Sequence, residues 1–231
     1  MSEILSISTP YGNFDTYIAY PSQANAPAIV VIQEIFGINA DMRETCDAYA
    51  QQGFVALCPD LFWRIEPNVE LTDQTDAEWQ QAFKLYNAFD VDKGVEDIAA
   101  TIGFARTLPQ VQGKIGSVGF CLGGLLSFLT AARTDVDVSV SYYGSRMDQK
   151  LNELLNIKVP LLLHLAEEDE FIPADARNRI IAAVQGHANV EAYTYPGCHH
   201  AFARHNGKHF DAAAAQLANG RTADFFAKHL S

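Results

Sequence analysis

Residues 114–124 read KIGSVGFCLGG, and the architecture of the chain can be worked out from them. Lys114–Gly119 is a short strand, and Leu122–Ala132 after it is apolar and helical. Between them, Gly119-Phe120-Cys121-Leu122-Gly123 has the form G-x-C-x-G, with Gly124 next. This is the tight strand-to-helix turn that carries a nucleophile, here with cysteine in place of serine. The turn is strained, so the residues two before and two after the nucleophile must be small. It sets the sulfur at the sheet's edge and at a helix N-terminus, where the backbone amides and the helix dipole favour a thiolate. The plainer alternative is a glycine-rich turn with a buried, inert cysteine. The strand before it and the apolar helix after it favour the nucleophile.

The same alternation extends in both directions. Upstream, strands are expected around Ile4–Ser8, Asn13–Tyr20, Ala28–Gln33 and Phe54–Cys58, with a helix over Met42–Gln52 that ends at Gly53. Ala28–Gln33 (AIVVIQ) is a continuous apolar, β-branched run, the mark of a strand buried on both faces. Trp63–Thr75 has little periodicity and reads as an excursion over the surface. Helices follow over Asp76–Phe89 and Val91–Thr107. Downstream come strands at Val136–Tyr142, Val159–Leu165 and Val190–Tyr195, a helix between the first two, and helices over Pro173–Val184 and Asp211–Leu230. Strands alternating with helices at this spacing imply a mostly parallel, doubly wound sheet with helices on both faces. With no repeat, low-complexity segment or linker, residues 1–231 are expected to form a single domain.

Composition narrows the function classes. The chain has 231 residues, 28 of them acidic and 16 basic, for a formal net charge of -12. That balance repels nucleic acid and argues against it as a partner. No run of 18 apolar residues is present, so no membrane span is expected. The start, Met-Ser-Glu-Ile-Leu, lacks a signal's basic and apolar regions, which gives a cytoplasmic expectation. The four cysteines, Cys46, Cys58, Cys121 and Cys198, match no zinc or CxxC spacing and read as reduced thiols.

In an open parallel sheet the chemistry sits beyond the carboxyl ends of the strands, so residues just after Gln33, Gly119, Leu165 and Tyr195 should converge. A thiol nucleophile needs a base and an acid, in the chain order nucleophile, acid, histidine. Of seven histidines, only His199 and His200 lie between a late strand end and the last helix, and periodicity does not choose between them. His164, inside VPLLLHLA, reads as a core residue. The acid is one of Glu167, Glu168, Asp169 and Glu170. Asp169 is favoured because Asp is the commoner partner and Phe171-Ile172-Pro173 resumes ordered structure. Glu34, directly after a buried strand, is costly unless paired and should lie near the site. The backbone amides of Ile35 and Leu122 are placed to form an oxyanion hole.

With these residues in view, the chain resembles the dienelactone hydrolase (carboxymethylenebutenolidase) family of α/β-hydrolases. The likeness is carried by QEIFGIN (33–39), MRET (42–45), GFVALCPDL (53–61), KLYNAFD (84–90), GFCLGG (119–124), YYG (142–144) and HAFAR (200–204). It implies the α/β-hydrolase fold and hydrolysis of a small ester or lactone, with no metal or organic cofactor. It implies Cys121 as nucleophile, Asp169 as acid, and His200 rather than His199 as base. It also implies that Glu34 contacts a neutral Cys121 thiol until substrate displaces it, which protects the sulfur from oxidation. Arg204, Trp79 and Tyr142 are the expected substrate-binding residues. The family grips its substrate's carboxylate with two arginines. Arg204 matches one, and Trp79 stands where the other is expected, Arg64 being the nearest arginine upstream. Trp79 suits a flatter, more apolar or aromatic ester. Alternatives on the same fold are a thioesterase or broad carboxylesterase, a redox-responsive thiol protein in which Cys198 approaches Cys121, and a non-catalytic binding protein.

Overall fold

The computed structural model describes residues 1–230. Eight strands form one sheet: β1 (Ser2–Thr9), β2 (Gly12–Ala19), β3 (Ala26–Ile32), β4 (Val55–Pro59), β5 (Val111–Phe120), β6 (Val138–Tyr142), β7 (Leu161–Ala166) and β8 (Val190–Tyr195). Their order is β1-β2-β4-β3-β5-β6-β7-β8. The hairpin β1–β2 is antiparallel and pairs antiparallel with β4, while β4, β3, β5, β6, β7 and β8 run parallel. The central strands β4, β6 and β7 are buried at every position, with Ser139 and Ser141 of β6 hydrogen-bonded to Ser117 and to the Gly124 carbonyl, whereas the edge strand β1 is mostly exposed.

Six helices cover the sheet: α1 (Ala40–Gln51), α2 (Asp76–Ala88), α3 (Val91–Ala105), α4 (Leu122–Arg133), α5 (Ala174–Val184) and α6 (Ala212–Leu230). On one face α1 meets α6, with Tyr49 edge-on to Phe226 at 6.0 Å between centroids. On the other, α3 packs beside α4, and α4 lies over β5 and β6. This mostly parallel sheet with helices on both faces is the α/β-hydrolase fold. Among the described residues no helix is long and apolar enough to cross a membrane.

Two segments differ from the expectation. The link between β6 and β7 is a 3₁₀ stretch, Met147–Asn156, in place of an ordinary helix. The Trp63–Thr75 excursion also turns back into the fold. Glu70 bridges to Gly37, the Leu71 amide donates to the Phe36 carbonyl, and Val69 and Asp73 are buried.

Helix starts differ in a way that matters for the site. Asn39, Thr75 and Asp90 cap α1, α2 and α3, each accepting from first-turn amides. At α4 the cap position is Cys121, and no side chain caps the helix. Its opening amides are left facing the strand ends.

Candidate active site

Cys121 sits at φ 56, ψ −113, in the region where a side chain is strained, so the turn holds the thiol in one orientation. The turn exists only because its neighbours have no β-carbon. A Cβ on Gly119 would lie 1.9 Å from the Gly123 carbonyl oxygen, and one on Gly123 would lie 2.2 Å from that of Ile32. Glycine at both positions lets α4 start in contact with β3 and β5.

His200 is buried in the loop after β8. Its Nδ1 lies 2.9 Å from each carboxylate oxygen of Asp169, which follows β7. Asp169 Oδ1 also accepts from the amides of Phe171 and Ile172, so the acid is fixed before it orients the ring. The other ring nitrogen, Nε2, is buried and has no hydrogen-bond partner among the described residues. Burial works to lower the pKa of His200, but the charge of Cys121, then the Asp169 hydrogen bond, outweighs it and pushes the group up to about 10. His199 points away, exposed, with Nδ1 3.2 Å from Glu170 Oε1.

Cys121 and His200 line one narrow slot of about 30 Å³ together with Ile35, Ser145 and a wall of aromatic rings. Trp79 packs edge-on against Phe36 at 5.1 Å and stacks on Phe83 at 5.4 Å. Phe83 leans on Phe171, which in turn meets the His200 ring at 4.7 Å. The Trp79 indole N–H donates to the Asp73 carbonyl at 3.0 Å, so its ring is pinned in the wall. Trp79, Phe171, His200 and Arg204 also line an adjoining hollow of about 220 Å³. Ile35 lines the same slot as the thiol, and Leu122 opens α4 directly after Cys121.

Glu34 and Arg204 differ from what the resemblance implies. Arg204 Nε donates to Glu34 Oε2 at 2.6 Å and Nη2 to Oε1 at 3.4 Å, while Nη1 donates to Asp73 Oδ2 at 2.7 Å. All three residues are buried. Burial works to lower the Arg204 pKa, but the Glu34 charge beside it, with Asp73, raises it on balance, and the guanidinium stays charged. Glu34 is thus held by Arg204 in place of the thiol. A buried carboxylate needs a cation more than it needs a weak S–H donor. Arg204, in turn, is shared between two carboxylates.

Tyr142 lies elsewhere. Its hydroxyl is 2.6 Å from Thr222 Oγ1 and donates to Asn219 Oδ1 at 2.9 Å, beneath α6. Tyr143, just past the end of β6 at φ 38, meets His200 at 5.1 Å in its place. Arg64 is bound to Asp97 at 2.7 Å and does not replace the missing arginine. Cys198 is free, as are the other three cysteines. Sequence reasoning missed Asp73, Phe83, Tyr86, Ser145 and Phe171. Only Phe171, directly following the acidic run, and Tyr86, within KLYNAFD, carried any local signal.

The fold is that of the α/β-hydrolases. A crystal structure from Klebsiella pneumoniae, provisionally described as a dienelactone hydrolase, superposes with a TM-score of 0.87 at 23% identity, covering 99% of each chain. The signature of the dienelactone hydrolase family matches residues 14–230, and the chain belongs to that family. A relative in Azospirillum brasilense, provisionally named a carboxymethylenebutenolidase, is 50% identical over 221 residues, 95% of each chain. The carboxymethylenebutenolidase of Pseudomonas putida is 41% identical over 228 residues, 98% of this chain and 97% of its own. The protein is accordingly an enzyme, a hydrolase of ester or lactone bonds.

Proposed function

We propose that this hydrolase works through Cys121, His200 and Asp169 on a small, flat ester or lactone of dienelactone type. One observation carries the reading. His200 is locked to Asp169 through Nδ1 while its buried Nε2 is left unpartnered in the slot that Cys121 lines. His200, whose raised pKa lets Nε2 hold the thiol's proton, leaves Cys121 as the thiolate that attacks the carbonyl carbon. The amides of Ile35 and Leu122 receive the oxyanion. As the tetrahedral centre collapses, His200 returns the proton to the leaving oxygen and a thioester remains. His200 then takes a proton from water, whose oxygen attacks the thioester. Collapse releases the carboxylic acid and, with the proton returned, the thiol. Glu34 acts here through Arg204, fixing the guanidinium beside the slot.

The aromatic wall supports a planar substrate, since Trp79, Phe83 and Phe171 line the slot as one run of packed rings. The test is a panel of dienelactones, aryl esters and acyl thioesters with wild type and Cys121→Ala. The reading expects lactones and aryl esters to be cleaved by the wild type, and a thioester intermediate to be trapped by denaturing quench. A Cys121→Ala enzyme that kept more than a tenth of the rate would overturn it.

A further inference from the structure

The two arginines first considered for substrate binding are already paired. Arg204 is shared between Glu34 and Asp73, and Arg64 is bound to Asp97 with its guanidinium 4.2 Å from the Trp63 ring. Arg146, next in the chain to the slot-lining Ser145, differs from both. It is exposed and makes no ion pair among the described residues. Its guanidinium carbon stands 4.5 Å from the centroid of Tyr86, whose ring lines the slot with Cys121. The preceding residue, Ser145, is buried and lines the slot too, with Oγ 3.2 Å from the Tyr86 hydroxyl. Arg146 is thus tied to one wall of the slot twice, through the chain to Ser145 and through its charge to the Tyr86 ring.

The backbone holds it there. Arg146 is left-handed, at φ 62, a conformation that glycine or asparagine would adopt more readily. The turn before it cannot relax, because Tyr143 is also at positive φ and a Cβ on Gly144 would lie 2.8 Å from the backbone of Gly124 in α4. The side chain of Met147, after it, is fully buried. Cys121, Tyr143, Arg146 and Ala201 make up four of the six positive-φ residues other than glycine, and all border this site or flank a residue that does.

We propose that Arg146 is a specificity residue of the enzyme, binding a carboxylate that the substrate carries away from its scissile bond. This rests on the reading of the Cys121 slot given above. Two buried carboxylates on Arg204 leave that cluster with a net negative charge, so a third carboxylate is repelled there unless one of the two is displaced. The chain as a whole carries -12, which opposes an anionic substrate at long range. An uncompensated guanidinium within reach of the slot overrides that field locally, inside a screening length of about 8 Å at physiological salt.

The test compares kcat/KM for a lactone bearing an exocyclic carboxylate with that for its methyl ester, in wild type, Arg146→Met, Arg146→Lys and Lys208→Met. Lys208 lines the adjoining hollow and is the competing cation. Arg146→Met is expected to lower the acid-to-ester ratio about tenfold, mainly through KM, and Arg146→Lys to restore part of it. The wild-type ratio should fall as salt is added, and that of Arg146→Met should not. An unchanged ratio in Arg146→Met, or a fall only in Lys208→Met, would overturn the inference while the Cys121 mechanism stood. Cys121→Ala, assayed on the same pair, reports on the mechanism separately. If it retains activity, that reading fails whatever Arg146 does.

Discussion

At the scale of the residue, two adjacent histidines separate cleanly. His200 is buried against Asp169, while His199 is exposed on Glu170. His200→Gln is expected to cost on the order of a thousandfold in kcat or more, as loss of a triad member does, and His199→Gln less than tenfold. Steady-state assays on one aryl ester check both, with circular dichroism to confirm folding. Trp79 gives a second residue-scale prediction. Trp79→Arg should raise kcat/KM for carboxylate-bearing lactones relative to neutral aryl esters by about tenfold. The new guanidinium would meet Asp73 and loosen its hold on Arg204. The ratio of the two rates, measured at low salt, checks this, and no change in it would mean that ring contact at position 79 does not set selectivity.

At the scale of the element, Gly123 shows how little freedom the turn has. Gly123→Ala would drive a Cβ into the Ile32 carbonyl, which is backbone and cannot step aside. A loss of about 3 kcal/mol in urea unfolding is expected, with activity lost as α4 withdraws from β3. Such a turn is legible in sequence because its constraint is steric and local, which is why the G-x-C-x-G pattern located Cys121. The buried strands were equally legible from their apolar runs. The 3₁₀ link was not, since Met147, Leu151 and Leu154 satisfy either winding. Asp73 was not either. It lies in a stretch without periodicity, and its burial depends on an arginine 131 residues away. The same applies to Tyr142 and Tyr143. The YYG motif marks the strand end, but which ring faces the site is decided by where β6 stops and by the positive φ of Tyr143 just beyond it.

For the whole molecule, the buried histidines set opposite limits on pH. His164 is fully buried between Tyr195 and Thr222, and burial, then the Arg221 charge, lowers its pKa to about 3. The unfolded chain, with a histidine near 6.5, takes up that proton first. The stability His164 contributes is therefore complete above about pH 6.5 and lost as pH falls toward 3, at up to roughly 1.4 kcal/mol per unit. His200 has the opposite sign. Its raised pKa stabilises the fold fully below about 6.5, and the contribution is lost as pH rises through about 10. Urea midpoints across pH 4–10 should show a maximum near neutrality, and His164→Gln should flatten the acid side alone. A profile with an equally steep acid side in His164→Gln would show that other groups govern acid unfolding.

The cluster of Glu34, Arg204 and Asp73 also bears on how a catalytic cycle ends. On the proposed mechanism every turnover leaves a new carboxylate at the sulfur, beside a guanidinium that already serves two others. A free arginine in that place would retain the acid it had helped to make. This one already offsets two carboxylates, so a third meets a net negative charge there and leaves, and the enzyme is readied for the next ester. Inhibition by the product acid should therefore be weak, with a Ki well above the KM of the parent ester. Asp73→Asn, which releases one arm of Arg204, should lower that Ki severalfold. Progress curves run to completion with added product would show the change as early slowing in the variant alone.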